Sequence, residues 1–446
     1  MPSPLLAMLG GMKLNPTFSK LAILAVVTLL LCYVLAEIGG LVRERQGRQN
    51  EATQSVVQSL ADAQTLLGPV LTRTCTETWT EFDAKKKPVQ QSRNIPMSLT
   101  PSTLDIGGSL DPELRYRGLF KVNTYVVKLK INAQWKTLNP LEAHAEHVGG
   151  KLNCEPINVF FAASDNRGLR SAAIQTGDHT LPVLPGTLQG SYRAGLHATL
   201  PDLTLKDGLH LSLTLDVIGT QSLSIVPTAG KTHVAMKSSW PHPSFGGRFL
   251  PTQREVTDSG FTAQWEVSAL QTSAAADAQD GKALPNIDSF GVELIDPVNP
   301  YVLSDRAIKY GLMFIALIFV TVGLTELFSG RRVHPVQYLL VGMAVSLFFL
   351  LLLSLSEHLS FLKAYLIAAG AAAIVLTQYA AAMLGGWMRG LAFGSGIALL
   401  YAALYVLLCQ EQNALVIGAV LLFAVLAVVM TLTRKLDWYR LGGAQE

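Results

Sequence analysis

The sequence predicts a membrane protein with six transmembrane α-helices and one large inserted domain that is mainly antiparallel β and sandwich-like. Of the 446 residues, 50% are hydrophobic and 15% are charged, whereas ordinary soluble domains carry about 25% charged residues. The apolar residues are concentrated in one run near the N-terminus and in several runs after residue 307. Between these runs apolar and polar residues alternate, which is typical of strands. One part of the chain is therefore suited to a lipid environment and the other part to an aqueous one.

The first apolar run covers residues 21–38. Its length allows it to cross roughly 30 Å of hydrocarbon if residues at its ends snorkel. A cleavable signal peptide requires a small-residue cleavage site, and Val34-Leu35-Ala36-Glu37 fits that requirement poorly. We therefore expect an uncleaved membrane anchor.

Five further apolar runs follow the inserted domain, and each is close to the roughly 20 residues that one span requires. They cover residues 308–327, 336–355, 362–384, 391–409 and 414–432. Because the connectors between them are short, neighbouring helices must be antiparallel. The sequence thus predicts one N-terminal and five C-terminal spans.

Charges in the connectors predict the orientation. The basic residues on one side are Arg331, Arg332, Arg389, Arg434, Lys435 and Arg440. The connectors on the other side contain Glu357, His358 and Glu411, with Lys363 as their basic residue. The positive-inside rule makes the arginine-bearing side cytoplasmic, and Lys13 and Lys20 then lie inside with the N-terminus.

The predicted organisation has four parts. Residues 1–42 form the cytoplasmic N-terminus and first span, residues 43–304 the external β-rich domain, residues 305–433 the five-helix domain and residues 434–446 a cytoplasmic tail.

The external domain is predicted to open with a helical stalk that runs through Leu67 and stops at Gly68-Pro69, because proline interrupts a helix. Alternation in residues 127–133, 209–217 and 261–267 predicts half-buried strands. Residues 273–281 are small and polar, and we expect a flexible loop there.

Two cysteines, Cys75 and Cys154, fall in this domain. In an oxidising periplasm they would be able to form a disulfide. The sequence does not fix whether their Cα atoms approach within about 7 Å, so a bridge and two separate thiols both stay open.

Three polar residues near the predicted span ends are candidates for a site. Glu326 lies near the inner end of a span, where a carboxylate is costly and often functional. We expect an ion pair with Arg331, Arg332 or His334, with a proton or ion site as the alternative. Glu357 and His358 are adjacent at the outer end of the third span and are expected to form an interfacial cap, since neighbouring helix positions point about 100° apart and chelate a metal poorly.

The sequence contains none of the common nucleophile, zinc or phosphate-binding motifs, and it therefore predicts no enzyme, no metal and no cofactor. A net charge of +3 without a basic block predicts no nucleic-acid partner. Trp240, His242, Phe245 and Phe249 lie in a proline-rich aromatic segment, for which we expect packing or contact with a partner.

Many short motifs in this chain occur in the same order in a known family. They are Ser239-Trp240-Pro241-His242-Pro243-Ser244-Phe245, Phe249-Leu250-Pro251, Arg254-Glu255-Val256, Ser259-Gly260-Phe261, Gln264-Trp265, Asp305-Arg306-Ala307, Lys309-Tyr310, His334-Pro335, Gln337-Tyr338-Leu339-Leu340-Val341-Gly342, Leu353, Leu355-Ser356-Glu357-His358 and Asp437-Trp438-Tyr439. With them the chain closely resembles the CreD family of inner-membrane proteins of Gram-negative bacteria.

The resemblance implies a role in cell-envelope integrity and stress response, control by a two-component regulatory system, and effects on colicin tolerance and the β-lactam response. It carries no catalytic residue. We expect a non-enzymatic protein that lies in inner-membrane lipid and contacts an envelope protein or a peptidoglycan-related partner through its periplasmic domain. The alternative is a transporter or lipid-handling protein in which Glu326, Glu357 and His358 line a path.

Overall fold

A computed structural model of the chain describes residues 16–83, 86–201, 203–296, 299–329, 332–410 and 414–434. The predicted orientation charges at Lys13, Arg331, Glu411, Lys435 and Arg440 lie outside these ranges. The chain divides into two compact units. One is Met1–Arg48 with Val298–Glu446, and the other is Gln49–Pro297; the sequence placed the corresponding domain at residues 43–304. We call them the membrane unit and the β unit.

The described helices are α1 (Pro16–Ser59), α2 (Ala274–Gln279), α3 (Pro300–Lys309), α4 (Gly311–Ser329), α5 (Pro335–Ser356), α6 (Phe361–Leu384), α7 (Trp387–Cys409) and α8 (Ala414–Thr433). Six of them, α1 and α4 to α8, are long and apolar enough to cross a membrane. The prediction of one N-terminal and five C-terminal spans is therefore confirmed.

The prediction of a stalk helix that runs to Leu67 is wrong. The helix of the first span continues without a break for 44 residues, but it ends at Ser59. Gly68 and Pro69 lie inside the first strand, where the register with its neighbour shifts between Leu67 and Val70. A β-bulge suits proline, which has no N–H for the ladder, and Gly68 supplies the positive φ of 108°. The two residues therefore mark an irregularity in a strand and not a helix end.

The strands are β1 (Gln64–Phe82), β2 (Pro88–Leu99), β3 (Thr103–Arg117), β4 (Phe120–Trp135), β5 (Lys151–Cys154), β6 (Asn158–Ala163), β7 (Leu169–Thr176), β8 (His179–Leu181), β9 (Leu184–Pro185), β10 (Gly195–Thr199), β11 (Leu209–Thr220), β12 (Ser222–Ile225), β13 (Lys231–Ser238), β14 (Pro243–Gly247), β15 (Gln253–Thr257), β16 (Gly260–Ser268) and β17 (Phe290–Leu294). One sheet has the order β14-β17-β12-β1-β6-β10-β9, with β2 and β5 also paired to β1, and the other has the order β15-β16-β13-β3-β4-β11-β7-β8.

The two sheets share one hydrophobic core, to which both contribute alternate residues. Leu211, Leu213 and Leu215 of β11 are buried, whereas Thr214 between them is exposed. The core includes Phe161 from the first sheet and residues such as Leu213 from the second. Two strand pairs, β1 with β12 and β3 with β13, are parallel. The prediction of a mainly antiparallel, sandwich-like domain is confirmed, and each alternating segment is a strand.

The flexible loop predicted for residues 273–281 is instead the short helix α2. Ala274 and Ala278 are four positions apart, so they share one helix face, and both are buried in a second core cluster with Phe160 and Tyr192. The buried face of this helix consists of alanines, which give a weak hydrophobic signal, so the segment resembles a polar loop in sequence.

The membrane unit is packed around α5. Phe348 and Phe349 of this helix are fully buried and form part of one apolar cluster, to which α1 and α4 to α7 contribute. Glycines allow close approach, as at Gly342 of α5, where an added Cβ atom would clash with the Leu31 side chain of α1. Such small-residue contacts are the usual way in which helices associate in lipid.

Candidate functional site

A polar cluster joins three helices at one end of the membrane unit. Glu326, in the last turns of α4, forms an ion pair with Lys20 of α1. Its other carboxylate oxygen accepts a hydrogen bond of 3.0 Å from the Tyr338 hydroxyl of α5. The Lys20 ammonium also lies 5.7 Å from the centre of the Tyr338 ring. We call these three residues the Glu326 cluster, and it compensates a carboxylate that would be costly alone near lipid.

Glu326 does form an ion pair, as predicted, but its described partner is Lys20 and not Arg332 or His334. His334 is occupied as the N-cap of α5, where its side chain accepts from the Val336 N–H at 3.3 Å. Arg332 is exposed, and Arg331 lies outside the described ranges. The cation that pairs with Glu326 comes from 306 positions earlier in the chain, which no local pattern indicates.

A second polar cluster lies beyond the other end of α5. Glu357 is the C-cap of α5 and its side chain is only 9% exposed. A negative charge at a helix C-terminus opposes the helix dipole, so it requires compensation. Arg45 of α1 supplies it, with its Nε 3.6 Å from Glu357 Oε1, and the Tyr301 hydroxyl of α3 donates to the same oxygen at 3.3 Å. We call these residues the Glu357 cluster.

Tyr301 stays protonated in this arrangement. Burial, together with the nearby Glu357 carboxylate and against the opposing effect of Arg45, raises the pKa of Tyr301 to about 12. The hydroxyl is therefore a permanent donor at neutral pH. The interfacial cap that the sequence predicts for Glu357 agrees with this position, although the capping contacts come from two other helices.

His358 does not join either cluster, because its side chain is exposed. From Tyr338 to Glu357 the axis of α5 rises about 29 Å, which is close to the thickness of the hydrocarbon core. The two clusters thus mark opposite ends of the spanning part. Between them most buried side chains are apolar and include Leu31, Ile315 and Val345, whereas the buried Ser346 hydroxyl of α5 donates to the Gly342 carbonyl of the same helix. Within the described ranges, no group of three or more His, Cys, Asp or Glu residues is placed to hold a metal ion.

The aromatic segment of the β unit is largely packed inward. The Trp240 indole donates to the carbonyls of His242 and Ile295, each at 3.1 Å. The Phe245 ring lies 5.7 Å from that of Trp265, and the Phe249 ring lies 6.3 Å from that of Phe290. These three aromatic residues are half-buried, whereas His242 is exposed. The structure therefore holds the segment rigidly and presents His242 at its surface.

Cys75 and Cys154 are directly opposite each other on β1 and β5 and form a disulfide, with their Cα atoms 4.0 Å apart. The bridge ties β5 to the middle of the longest strand. The sequence left this pairing open because a pair of antiparallel strands 79 residues apart is a tertiary feature.

A buried carboxylate beside this disulfide was missed by the sequence reasoning. Glu77 is 0% exposed, and its Oε1 accepts the backbone N–H groups of Glu146 and His147 at 2.9 and 2.8 Å. Arg93 donates to its Oε2 at 3.2 Å. These hydrogen bonds, above all that from the His147 backbone, hold the pKa of Glu77 below its ordinary value although burial opposes them. A signal existed, since alternation places Glu77 on the same face of β1 as Cys75.

Comparison with known proteins gives a consistent result. The family described as "Inner membrane protein CreD" matches residues 16–439. The protein of that name from Escherichia coli (strain K12) is 33% identical over 430 residues, which cover 95% of this chain and 94% of that protein. Among solved structures, an M1 zinc metallopeptidase from Deinococcus radiodurans covers 37% of this chain and 38% of its own at 11% identity, with a TM-score of 0.18. A score this low carries no argument about fold or function.

Proposed function

Because the chain belongs to the CreD family of inner membrane proteins, we propose that it is a non-enzymatic, multi-pass protein that supports cell-envelope integrity and the envelope stress response. The observation that carries this proposal is the β unit, Gln49–Pro297, which takes up more of the chain than the helices do. A sandwich of this size, inserted after the first span, is suited to contact with a partner in water near the membrane.

We further propose that the β unit lies in the periplasm and that both termini are cytoplasmic. The disulfide between Cys75 and Cys154 supports this orientation, because such bridges persist in oxidising compartments. The described connector charges support it too. Arg332 and Arg389 lie at one end of their helices, and Glu357 lies at the other.

The partner in this proposal is an envelope protein or a peptidoglycan-related component that docks at the surface around His242. Trp240, Phe245 and Phe249 act indirectly, since their packing against the core fixes the shape of this turn. Glu326 and His358 lie about one span apart, so they cannot act on one substrate atom, and this separation favours a binding role.

Photocrosslinking in living cells tests the docking surface. A photoreactive residue is placed at His242, which is exposed, and in a control protein at Phe245, which faces the core. We expect a discrete adduct with an envelope component from position 242 and crosslinks within the β unit alone from position 245. Intramolecular crosslinks from both positions would contradict the proposed docking surface.

One observation favours the alternative of a lipid-handling protein. A groove of about 480 Å³ lies between α5 and α6, and its lining includes Ala344, Leu351, Ala368 and Val375. An acyl chain fits this apolar surface. If lipid passes along this groove, its headgroup needs a charged residue to contact at the membrane edge, and Glu326 would be that residue. A Glu326→Gln variant of unchanged abundance should then lose lipid flux in reconstituted vesicles. Unchanged flux in that variant would count against this role.

A further inference from the structure

The long hairpin of β3 and β4 extends past the rest of its sheet. The pairing of β3 with β13 ends at Leu110, and the pairing of β4 with β11 ends at Thr124. Residues 111–123 therefore have strand partners only within the hairpin, apart from one hydrogen bond of 3.0 Å from the Gln221 N–H to the Asn123 carbonyl, and we call them the β3–β4 tip. At about 3.4 Å per residue, the tip projects roughly 14 Å beyond β11 and 24 Å beyond β13. It ends in a two-residue turn at Gly118 and Leu119.

The tip projects from the end of the β unit at which the chain enters and leaves. At the entry, Thr220, the last residue of β11 beside the tip, donates from its hydroxyl to the Ala61 carbonyl at 3.1 Å. At the exit, the Asn123 side chain donates to the Leu294 carbonyl at 3.0 Å, and Lys121 forms an ion pair of 2.9 Å with Asp296.

These contacts lie close to membrane helices along the chain. Asp296 precedes the start of α3 at Pro300 by four positions, and four residues of extended chain span at most about 14 Å. Since α3 leads directly into the span α4, a short stretch of chain connects the base of the tip to a membrane helix.

The composition of the tip suits that position. Leu114, Tyr116 and Leu119 are 44%, 67% and 55% exposed. Apolar side chains that stay exposed to water at the end of a hairpin gain no free energy from burial. Tyrosine is enriched where membranes meet water, because its ring and hydroxyl suit the headgroup level. The apolar residues thus match an interfacial environment and not bulk water.

The charges of the tip are graded along its length. The outer part, residues 114–121, holds Arg115, Arg117 and Lys121 and no acidic residue, whereas Asp111 and Glu113 lie nearer the domain. Arg115 is paired with Glu113 at 2.7 Å. Among the ion pairs between described residues, none involves Arg117, which is exposed. An anionic surface is the natural complement of this end.

We propose that the β3–β4 tip contacts the bilayer that holds the membrane helices. Leu114, Tyr116 and Leu119 enter the headgroup region, and Arg115 and Arg117 bind the phosphates of anionic lipids. This contact goes beyond the proposed function and does not depend on which leaflet the β unit faces. It gives the β unit an attachment to lipid besides its two covalent connections.

Fluorescence of a label at the turn tests the proposal in the full-length protein. Cys32 and Cys409, the described free cysteines, are replaced by alanine, and Leu119→Cys is labelled with the polarity-sensitive dye NBD. The control carries the label at Asp207→Cys, an exposed position just before β11 begins and so at the opposite end of the sheet. Both are reconstituted in vesicles of roughly three parts phosphatidylethanolamine to one part phosphatidylglycerol, an anionic surface.

We expect blue-shifted emission at position 119 and quenching by a nitroxide on the lipid headgroup, with neither effect at position 207. Replacement of Arg115 and Arg117 by glutamine should weaken the association of the tip with the anionic surface by about fivefold for each arginine, and quenching should fall accordingly. Label at position 119 that behaves like label at position 207 would overturn the proposal. A blue shift without quenching by the lipid nitroxide would also overturn it, because the tip would then be covered by protein.

Discussion

The contact between α6 and α7 allows one prediction to be worked out from the coordinates. A Cβ atom added to Gly390 of α7 would lie 2.5 Å from Cβ and 2.7 Å from Cα of Ala381 in α6. Carbon atoms pack best at 3.5–4.0 Å, so the clash is about 1 Å. It is made with backbone and Cβ atoms, which cannot rotate away. The substitution Gly390→Ala therefore has to push the two helices apart.

The matched control is Gly396→Ala in the same helix, where nothing lies within 4 Å of an added Cβ atom. Both substitutions gain up to about 1 kcal/mol from the better helix propensity of alanine. Overpacking adds a cost of about 1–3 kcal/mol at Gly390 alone. We thus expect Gly390→Ala to be less stable than Gly396→Ala by about 1–3 kcal/mol.

The assay is unfolding of the full-length protein in mixed micelles as the fraction of SDS is raised, followed by circular dichroism. Gly396→Ala should unfold at the same SDS fraction as the wild type or a higher one, and Gly390→Ala at a lower one. Equal unfolding of the two variants would refute the close packing of α6 on α7.

Three further predictions concern polar contacts and the disulfide. Removal of the bridge by Cys154→Ala should destabilise the β unit by about 2–4 kcal/mol in chemical denaturation. Intact-mass measurement of the wild type with and without reductant should detect one disulfide, and two freely alkylated thiols would exclude it. Because the pKa of Glu77 is lowered in the fold, its contribution to stability is complete at neutral pH and is lost as the pH falls from the ordinary carboxyl range through the folded-state pKa. Thermal melts of Glu77→Gln should accordingly show a lower midpoint at neutral pH and a smaller further decrease on acidification than the wild type, and parallel curves would contradict this. Arg45→Gln should cost roughly 1–3 kcal/mol because it leaves Glu357 without its cation, whereas Arg48→Gln, which breaks an exposed pair with Glu44, should cost less than about 1 kcal/mol; similar losses for both would refute the role of Arg45.

The elements that the sequence predicts well are those whose signal is local. A span is recognised from its own apolar length, and a strand such as β11 from its own alternation of leucine with polar residues. Both signals follow from burial of one face or of the whole element, and neither requires knowledge of a partner.

The features that could not be predicted from the sequence depend on contacts with residues far away along the chain. The end of α1 at Ser59 depends on residues 64–82 pairing with strands from distant parts of the chain, so a local helix breaker at Pro69 was misleading. Lys20 and Glu326 form their ion pair only because α1 packs on α4. Glu77 required a hairpin strand and a separate loop to supply its donors. Patterns within a window of a few residues do not identify these distant partners.

The proposed function requires the β unit to lie outside the cytoplasm, where it can meet an envelope partner. The most direct test uses a membrane-impermeant maleimide on intact spheroplasts, in the background without Cys32 and Cys409. Single cysteines are placed at Asp207 in the β unit and at Arg332 after α4, both of which are exposed. We predict that position 207 is labelled in intact spheroplasts and that position 332 is labelled only after lysis. Labelling of position 332 without lysis, together with protection of position 207, would reverse the orientation and contradict the claim.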